Sequence, residues 1–404
     1  MSSRPVNYID VKIKETKKWF ENRNNMLSLI VSLALFAAVV ICAVILSQAA
    51  AADVPTSASQ MVYEKAEVTA VLSDDAQPDY EIAEGRRIGT QELEIRILTG
   101  DHKDEIMSLT NYMSALFNVD LEKGDNIIVR IMTDEDGAYY ASVFNYDRGI
   151  VIGVFVLIFF VLLAVLGGKK GIGALLGLLF TLACIWFILI PALMIGMPII
   201  PVTVAIVAVT SAGGLILLNG LSKKTFCAVT GCFIGVMTAG VIAAIVGAVT
   251  PMNGFNMPEA ENLILYGADK GLKISGLLVC GVLISALGAV MDVALGIASS
   301  VNELRNGNPE ATTRELFRSG MNIGKDAMGT MANTLILAFA GSSLNMIILV
   351  QTYDIPFRQL INTDYICIEI IQSISGAVGI LLTVPIVAFI SAAIMAQTKG
   401  RSLK

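Results

Sequence analysis

Asp292 lies about two-thirds of the way along an otherwise apolar run from Ile274 to Val301. A carboxylate at such a depth costs at least ~2.5–3.5 kcal/mol on insertion scales, so by default it marks an ion pathway, a proton relay or a helix contact. Gly281, Ser285, Gly288, Asp292, Gly296, Ser299 and Glu303 recur at steps of three and four, which puts them on one helix face. Asn322, Asp326, Thr330 and Asn333 follow the same spacing, as do Glu369, Gln372, Gly376, Gly379 and Thr383. Three polar faces carrying acids at different depths describe a stepped route for a proton or cation, since carboxylates in apolar surroundings can switch protonation state near neutral pH. On this reading Asp292, Asp326, Asn333 and Glu369 bind the ion, and Ser285, Gly288, Gly296, Ser299, Asn322 and Thr330 form the supporting small or polar faces. The competing reading has Asp292 hydrogen-bonded to Asn333, Thr330 or a backbone group, locking two helices together. Such intramembrane bonds average only ~0.6 kcal/mol, a weak reason to keep an acid.

Other chemistries fit poorly. His102, the single histidine, falls outside the apolar runs, which removes Ser-His and Cys-His sites from them. No HExxH zinc motif and no GxxxxGK[ST] phosphate loop occurs. Asp292 and Asp326 could form an intramembrane aspartyl-protease pair, but Gly324-Lys325-Asp326-Ala327 lacks the GxGD pattern. No enzyme activity, cofactor or metal is expected.

These acids need membrane helices to hold them. The chain is 55% hydrophobic and 15% charged, which places it in the membrane class. Eight spans are predicted: Leu27–Leu46, Ile150–Leu166, Ile172–Ile190, Ile199–Leu218, Phe226–Val249, Ile274–Val301, Met331–Val350 and Ile374–Met395. Between the sixth and seventh, Asn308-Pro309-Glu310 reads as a helix start, with a short interfacial helix around Arg314 to Arg318. The polar faces of these two neighbouring spans are expected to meet.

Seventeen Lys and Arg residues lie in the two tails and alternate short loops, against three in the opposite loops, so both termini are expected in the cytoplasm. Asp53 to Arg148 is then external. It holds 20 acidic and 8 basic residues, while the remainder has 14 and 20. Acidity of this kind suits a soluble domain kept off anionic headgroups, or a vestibule that collects cations. Strands are predicted at Val62–Leu72, Glu92–Leu98, Asn126–Met132 and Ala138–Phe144, with a helical or irregular stretch around Ser108–Phe117. Turns are marked by Glu84-Gly85, Lys123-Gly124-Asp125 and Glu135-Asp136-Gly137. A small barrel of OB-like size fits. All six cysteines lie in or beside spans, so no disulfide framework is expected, and the first span reads as an uncleaved anchor in preference to a signal peptide.

The stretch Gly288-Ala289-Val290-Met291-Asp292, then Ser319-Gly320-Met321-Asn322-Ile323-Gly324, Asp326 and Gly329-Thr330-Met331-Ala332-Asn333-Thr334-Leu335 resembles the YibE/F-like family of bacterial membrane proteins. The likeness runs from about Asn145 to Gln397 and includes Glu369, Gly376, Gly379 and Pro385. It implies a topology and no particular reaction. Gly288, Asp292, Glu303-Leu304-Arg305-Asn306-Gly307, Gly320, Asp326-Ala327 and Thr330 are also similar to the core of SecD-type proteins. Those belong with the resistance-nodulation-division permeases, and the resemblance implies membrane acids that couple proton flow to work on an external domain.

The expected fold is therefore an α-helical polytopic plasma-membrane protein of about eight helices, with a small β-rich external domain. Its divisions are a cytoplasmic tail (1–26), an anchor (27–48), the external domain (49–148), a seven-helix membrane domain (149–398) and a second tail (399–404). The expected function is an ion-gradient-coupled transporter or permease-like component. The alternative is a non-transporting scaffold or accessory subunit for export or envelope assembly. Its partners are the lipid bilayer and either a transported solute or another protein; an oligomer is allowed, and nucleic acid is not expected.

Overall fold

The computed structural model describes residues 34, 36–46, 61–79, 85–133, 138–252, 254–257, 260–267, 272–353 and 355–397. The basic tail, the start of the first expected span, residues 47–60, the Glu135-Asp136-Gly137 turn and the C-terminal tail lie outside these residues. The chain divides into two compact units, residues 54–162 and residues 1–53 with 163–404.

In the first unit, apolar side chains at every second position form strands with one buried face. β1 (Met61–Asp74), β2 (Gln77–Pro78), β3 (Arg87–Ile97), β4 (Ile106–Met113), β5 (Asn126–Thr133) and β6 (Tyr139–Tyr146) make one antiparallel sheet. Its order is β4-β3-β1-β5-β6, with β2 on the start of β3. The long β1 pairs with β5 through its first half and with β3 through its second. Register shifts after Val68 and Val71 mark irregularities of the β-bulge kind, which bend a strand. The sheet curls around Ala66, Val68, Leu93, Ile95, Ile97, Ile127, Val129 and Ile131, all fully or almost fully buried. At its outer edges Tyr139 stacks on His102, with centroids 4.0 Å apart, and donates a hydrogen bond to Glu105 just before β4. No ladder joins β4 to β6 among the described residues.

The four predicted strands are present. The expected helical or irregular stretch at 108–117 is instead strand β4 as far as Met113. Asn111 hid it, because this buried polar residue stands in the inward row between Leu109 and Met113. It donates to Gln91 Oε1 at 3.1 Å and to the Val119 carbonyl at 2.7 Å. Gln91, 1% exposed, donates to Leu121 O at 3.1 Å. Arg87 ties the network's rim together by donating to Asp74 at 2.6 Å and to Asp120 at 3.0 Å.

The remaining described residues are mainly helical, and their apolar helices place the chain in the membrane; residues 149–162, the start of the second helix, still belong to the first unit. The helices are α1 (Phe36–Leu46), α2 (Gly149–Met194), α3 (Ile199–Asn219), α4 (Lys223–Val249), α5 (Ala260–Gly267), α6 (Leu277–Gly307), α7 (Thr313–Ser342), α8 (Leu344–Thr352), α9 (Phe357–Leu360) and α10 (Asp364–Ala396). Five of the described helices are long and apolar enough to cross a bilayer, or six if α7 and α8 are one span bent by 58°. The element α2 holds two of the eight predicted spans, Ile150–Leu166 and Ile172–Ile190. Its 46 residues exceed what one crossing of a ~30 Å core needs. It breaks at Gly168, whose φ of 54° and ψ of −134° are not helical. A Cβ on Gly171 would lie only 2.0 Å from the Leu163 carbonyl oxygen, whereas eight residues of straight helix separate atoms by about 12 Å, so the chain turns sharply there. Further on, α2 loosens into a π-helical segment, Ile185–Leu189, closed by Ile190 N–H donating to Ile185 O.

The start of α7 also differs from expectation. Asn308 caps the end of α6, and α7 is capped at its start by Thr312, whose hydroxyl accepts from Glu315 N while the Glu315 carboxylate accepts from Thr312 N. This capping box launches one continuous helix, so no separate interfacial helix forms around Arg314 to Arg318.

Helices α4, α6, α7 and α10 form the centre of the bundle. Small residues set their spacing. A Cβ on Gly379 of α10 would fall 2.7 Å from Ala239 Cβ of α4, and one on Gly324 of α7 would fall 2.2 Å from Val384 Cγ1 of α10. Gly173/Gly177 and Gly231/Gly235, each at the four-residue spacing that lets helix backbones meet, are close approaches of this kind, onto α3 and α10.

Two predictions follow from these contacts. Gly379→Ala, which neither Ala239 nor the backbone can evade by a rotamer change, should destabilise the bundle by about 1–3 kcal/mol. Gly288→Ala, at a position where an added Cβ meets nothing within 4 Å, should be near neutral, and thermal unfolding of the purified chain compares the two. In the sheet, the Arg87 guanidinium holds the Asp74 carboxyl below its usual value. Its contribution is complete above the ordinary carboxylate pKa of about 3.9 and is lost as the pH falls through the lower folded value. Acidification below about pH 4 should therefore loosen the sheet, and Arg87→Ala should flatten that dependence, read by hydrogen exchange of β1 and β3.

Candidate functional site

Asp292 is the sixteenth of the 31 residues of α6, half-way along the helix. It stands on the face left open when Val282, Ala286, Val290, Val293 and Ile297 turn into the bundle. Four residues to either side, Gly288 and Gly296 present open space, so the carboxylate is flanked by bare backbone. Asp292 makes no hydrogen bond or ion pair with any described residue. It borders a cavity of about 400 Å³ walled by Gly177 and Thr181 of α2, Gly214 and Leu218 of α3, and Ser285 and Gly288 of α6. The hydroxyls there are spent on their own helices, Thr181 on Gly177 O at 3.0 Å and Ser285 on Val282 O at 3.2 Å. Among the described residues, Asp292 is the only ionisable group in the lining. A lone carboxylate in this setting can take up one proton or hold one monovalent cation. Among the described residues no three His, Cys, Asp or Glu side chains gather closely enough to hold a metal ion.

Asp326 is the fourteenth of the 30 residues of α7 and so lies deeper in its helix than the predicted span boundary at Met331 implied. Gly320 approaches Val301, and Gly324 approaches Ile297. Continued antiparallel, this register brings Asp292 and Asp326 to one depth within about 5 Å. Both side chains are exposed, and they stand on faces that the contact between α6 and α7 leaves free. Leu316, Gly320 and Gly324 form the buried face of α7, and Asn322, Asp326, Thr330 and Asn333 occupy an exposed one. The expected meeting of the polar faces of α6 and α7 is thus replaced by contact through small and apolar residues. The lock between Asp292 and Asn333 or Thr330 is not formed either, since the Thr330 hydroxyl donates to Ala327 O within its own helix at 2.9 Å.

Glu369, the sixth residue of α10, lies elsewhere again. It borders a second cavity beneath the bend between α7 and α8, and its Oε2 is buried without a hydrogen-bond partner. The rest of its expected face is used for packing: Gly376 against Leu335, Gly379 against Ala239, and Thr383 Oγ1 donating to Gly379 O at 2.7 Å. Ser299 and Gly296 continue the open side of α6 toward Glu303, which borders a shallow recess with Ser300 and Asn308. Neither the α2 and α3 walls beside Asp292 nor the bend at Ser342 and Ser343 was anticipated. The Gly173/Gly177 spacing and the Gly341-Ser342-Ser343 run were the available signals.

If Asp292 is not a lock, removing its charge should not loosen the bundle. Asp292→Asn should match or exceed the wild-type thermal unfolding temperature, because the charge has no partner among the described residues to lose. A fall equivalent to more than about 1 kcal/mol would restore the lock.

Comparison with known proteins gives a consistent result in both units. The description "YibE/F family N-terminal domain" matches residues 61–146, the whole of the sheet, and "YibE/F-like protein" matches residues 155–397, nearly all of the helical region. No curated protein and no solved structure matches. The SecD-type resemblance of the central motif gains no support from these matches. With most of both units covered, the chain belongs to the YibE/F-like family.

Proposed function

We propose that this protein is an ion-gradient-coupled transporter or permease-like component of the plasma membrane, with Asp292 as the group that takes up and releases a proton or monovalent cation. Both termini face the cytoplasm and residues 49–148 are external on this reading, which the Lys and Arg distribution supports. The observation that carries it is an unpaired carboxylate half-way along a membrane helix, flanked by open glycines and facing a cavity. Keeping an acid there costs several times what an intramembrane hydrogen bond returns, and Asp292 makes no such bond. Asp326 and Asn333 act from α7 at nearby depths, and Glu369 receives the ion near the outer end of α10. No enzymatic step is assigned to any of them.

The open polar face of α7 favours a second reading, an accessory subunit that presents Asn322, Asp326, Thr330 and Asn333 to a partner helix. One comparison separates the two. Wild type and Asp292→Asn are reconstituted in vesicles with an internal pH dye, under an imposed pH gradient or potential. Asparagine keeps hydrogen-bonding capacity and cannot titrate. A proton carrier shows flux in wild type that the variant lacks. Equal flux in both, or full cellular function with Asp292→Asn, would sink the transport reading in favour of the scaffold.

A further inference from the structure

Helix α7 ends at Ser342, and α8 leaves it at 58°. Beneath this bend, between α7, α8 and α10, lies a cavity of about 340 Å³. That is within the usual range for small-molecule sites, about 300–1,000 Å³. Most of its wall is carbon, from Ile336, Phe339, Ile347, Val350 and Ile370. Its polar groups are Glu369, Ser343, Gln351 and Ser373. Two of these have partners: Ser343 Oγ accepts from Tyr365 OH at 3.4 Å, and Ser373 Oγ donates to Ile370 O at 3.2 Å. Glu369 Oε2 has none, and among the described residues no Lys, Arg or His borders the cavity.

The ligand must therefore satisfy one carboxylate and fill an apolar space. A divalent metal ion is a poor match, because Ca²⁺ and Mg²⁺ take six or more oxygens and this wall offers one charged donor. A neutral apolar molecule would leave the Glu369 carboxylate without a partner. We propose that the cavity binds an amphipathic organic monocation, a protonated amine whose ammonium pairs with Glu369 and whose hydrocarbon body lies under the α7–α8 bend. This deepens the reading of Glu369 as the group that receives an ion, and it rests on that reading only for the side of access. Asp292 borders a different cavity, so the two sites are separable by mutation.

The full chain, purified in detergent, is titrated by calorimetry with phenethylamine, a monocation at pH 7, and with the neutral isostere phenethyl alcohol. The amine should bind saturably and about tenfold or more tightly than the alcohol, as expected for a hydrogen bond to a charged group. Glu369→Gln should erase that difference, and Asp292→Asn should leave it intact. Ala340→Phe, which fills the cavity and keeps the carboxylate, should abolish binding and covers the case in which Glu369→Gln does not fold. Absence of saturable amine binding to wild type overturns the site, as does equal affinity for amine and alcohol or unchanged binding by Glu369→Gln. Loss of amine binding in Asp292→Asn would overturn the separateness of the two sites. Loss of proton flux in that variant with amine binding retained would leave both proposals standing independently.

Discussion

Inside a bilayer, helices gain little by hiding apolar surface from one another, since lipid tails are as apolar as leucine; close backbone approach is what remains to hold them. The centre of this bundle is built on that constraint. Where α4 crosses α10, Gly231, Gly235 and Gly379 admit the partner's side chains or backbone, and Gly320 and Gly324 do the same for α7. Reserving the small residues for the crossings fixes the rotation of each helix about its axis. Once Gly320 and Gly324 face inward, a helix of 3.6 residues per turn has to carry Asn322 and Asp326 on its far side. The placement of the acids follows from how the backbones fit.

The sheet is organised by the opposite force. Its strands are half apolar because water outside rewards burial within, and about 1.5–3 kcal/mol accompanies each large aliphatic side chain fully removed from it. The same environment makes buried amides expensive unless paired, and the Gln91–Asn111 pair meets that condition by reaching into the chain around Val119 and Leu121. Together these bonds attach the segment after β4 to the middle of the sheet.

Much of this was legible in the sequence. Alternation marked four strands, and apolar length marked the helices. The cost of a lone carboxylate singled out Asp292 without any structural knowledge. Three things were not legible, each for a physical reason. Strand β4 was masked because Asn111 occupies an inward position, and alternation sees polarity without seeing the partners that satisfy it. The surroundings of Asp292 were hidden because a periodic face shows which residues share a side of a helix and not which neighbour that side meets. Glu303 and Asp292 do share the open side of α6, yet the wall opposite Asp292 comes from α2 and α3, more than seventy residues earlier in the chain. The start of α7 was misplaced because Asn308-Pro309-Glu310 carries the residue types of a helix cap. The reciprocal bonds of Thr312 and Glu315 formed instead.

Across the cavity from Asp292, Thr181 stands in regular helix while Ile185, also in the lining, opens the π-helical segment. A π segment amounts to a helix carrying one residue more than its α spacing allows. Such a surplus has a phase: every side chain beyond it is rotated relative to an uninterrupted α-helix. If the surplus migrated by one position toward Thr181, the residues it passed would swing by about 100° while each amide exchanged one helical acceptor for another. The lining opposite the carboxylate could thus be re-indexed within a single helix, with neither the glycine crossings nor the loops at its ends having to give way.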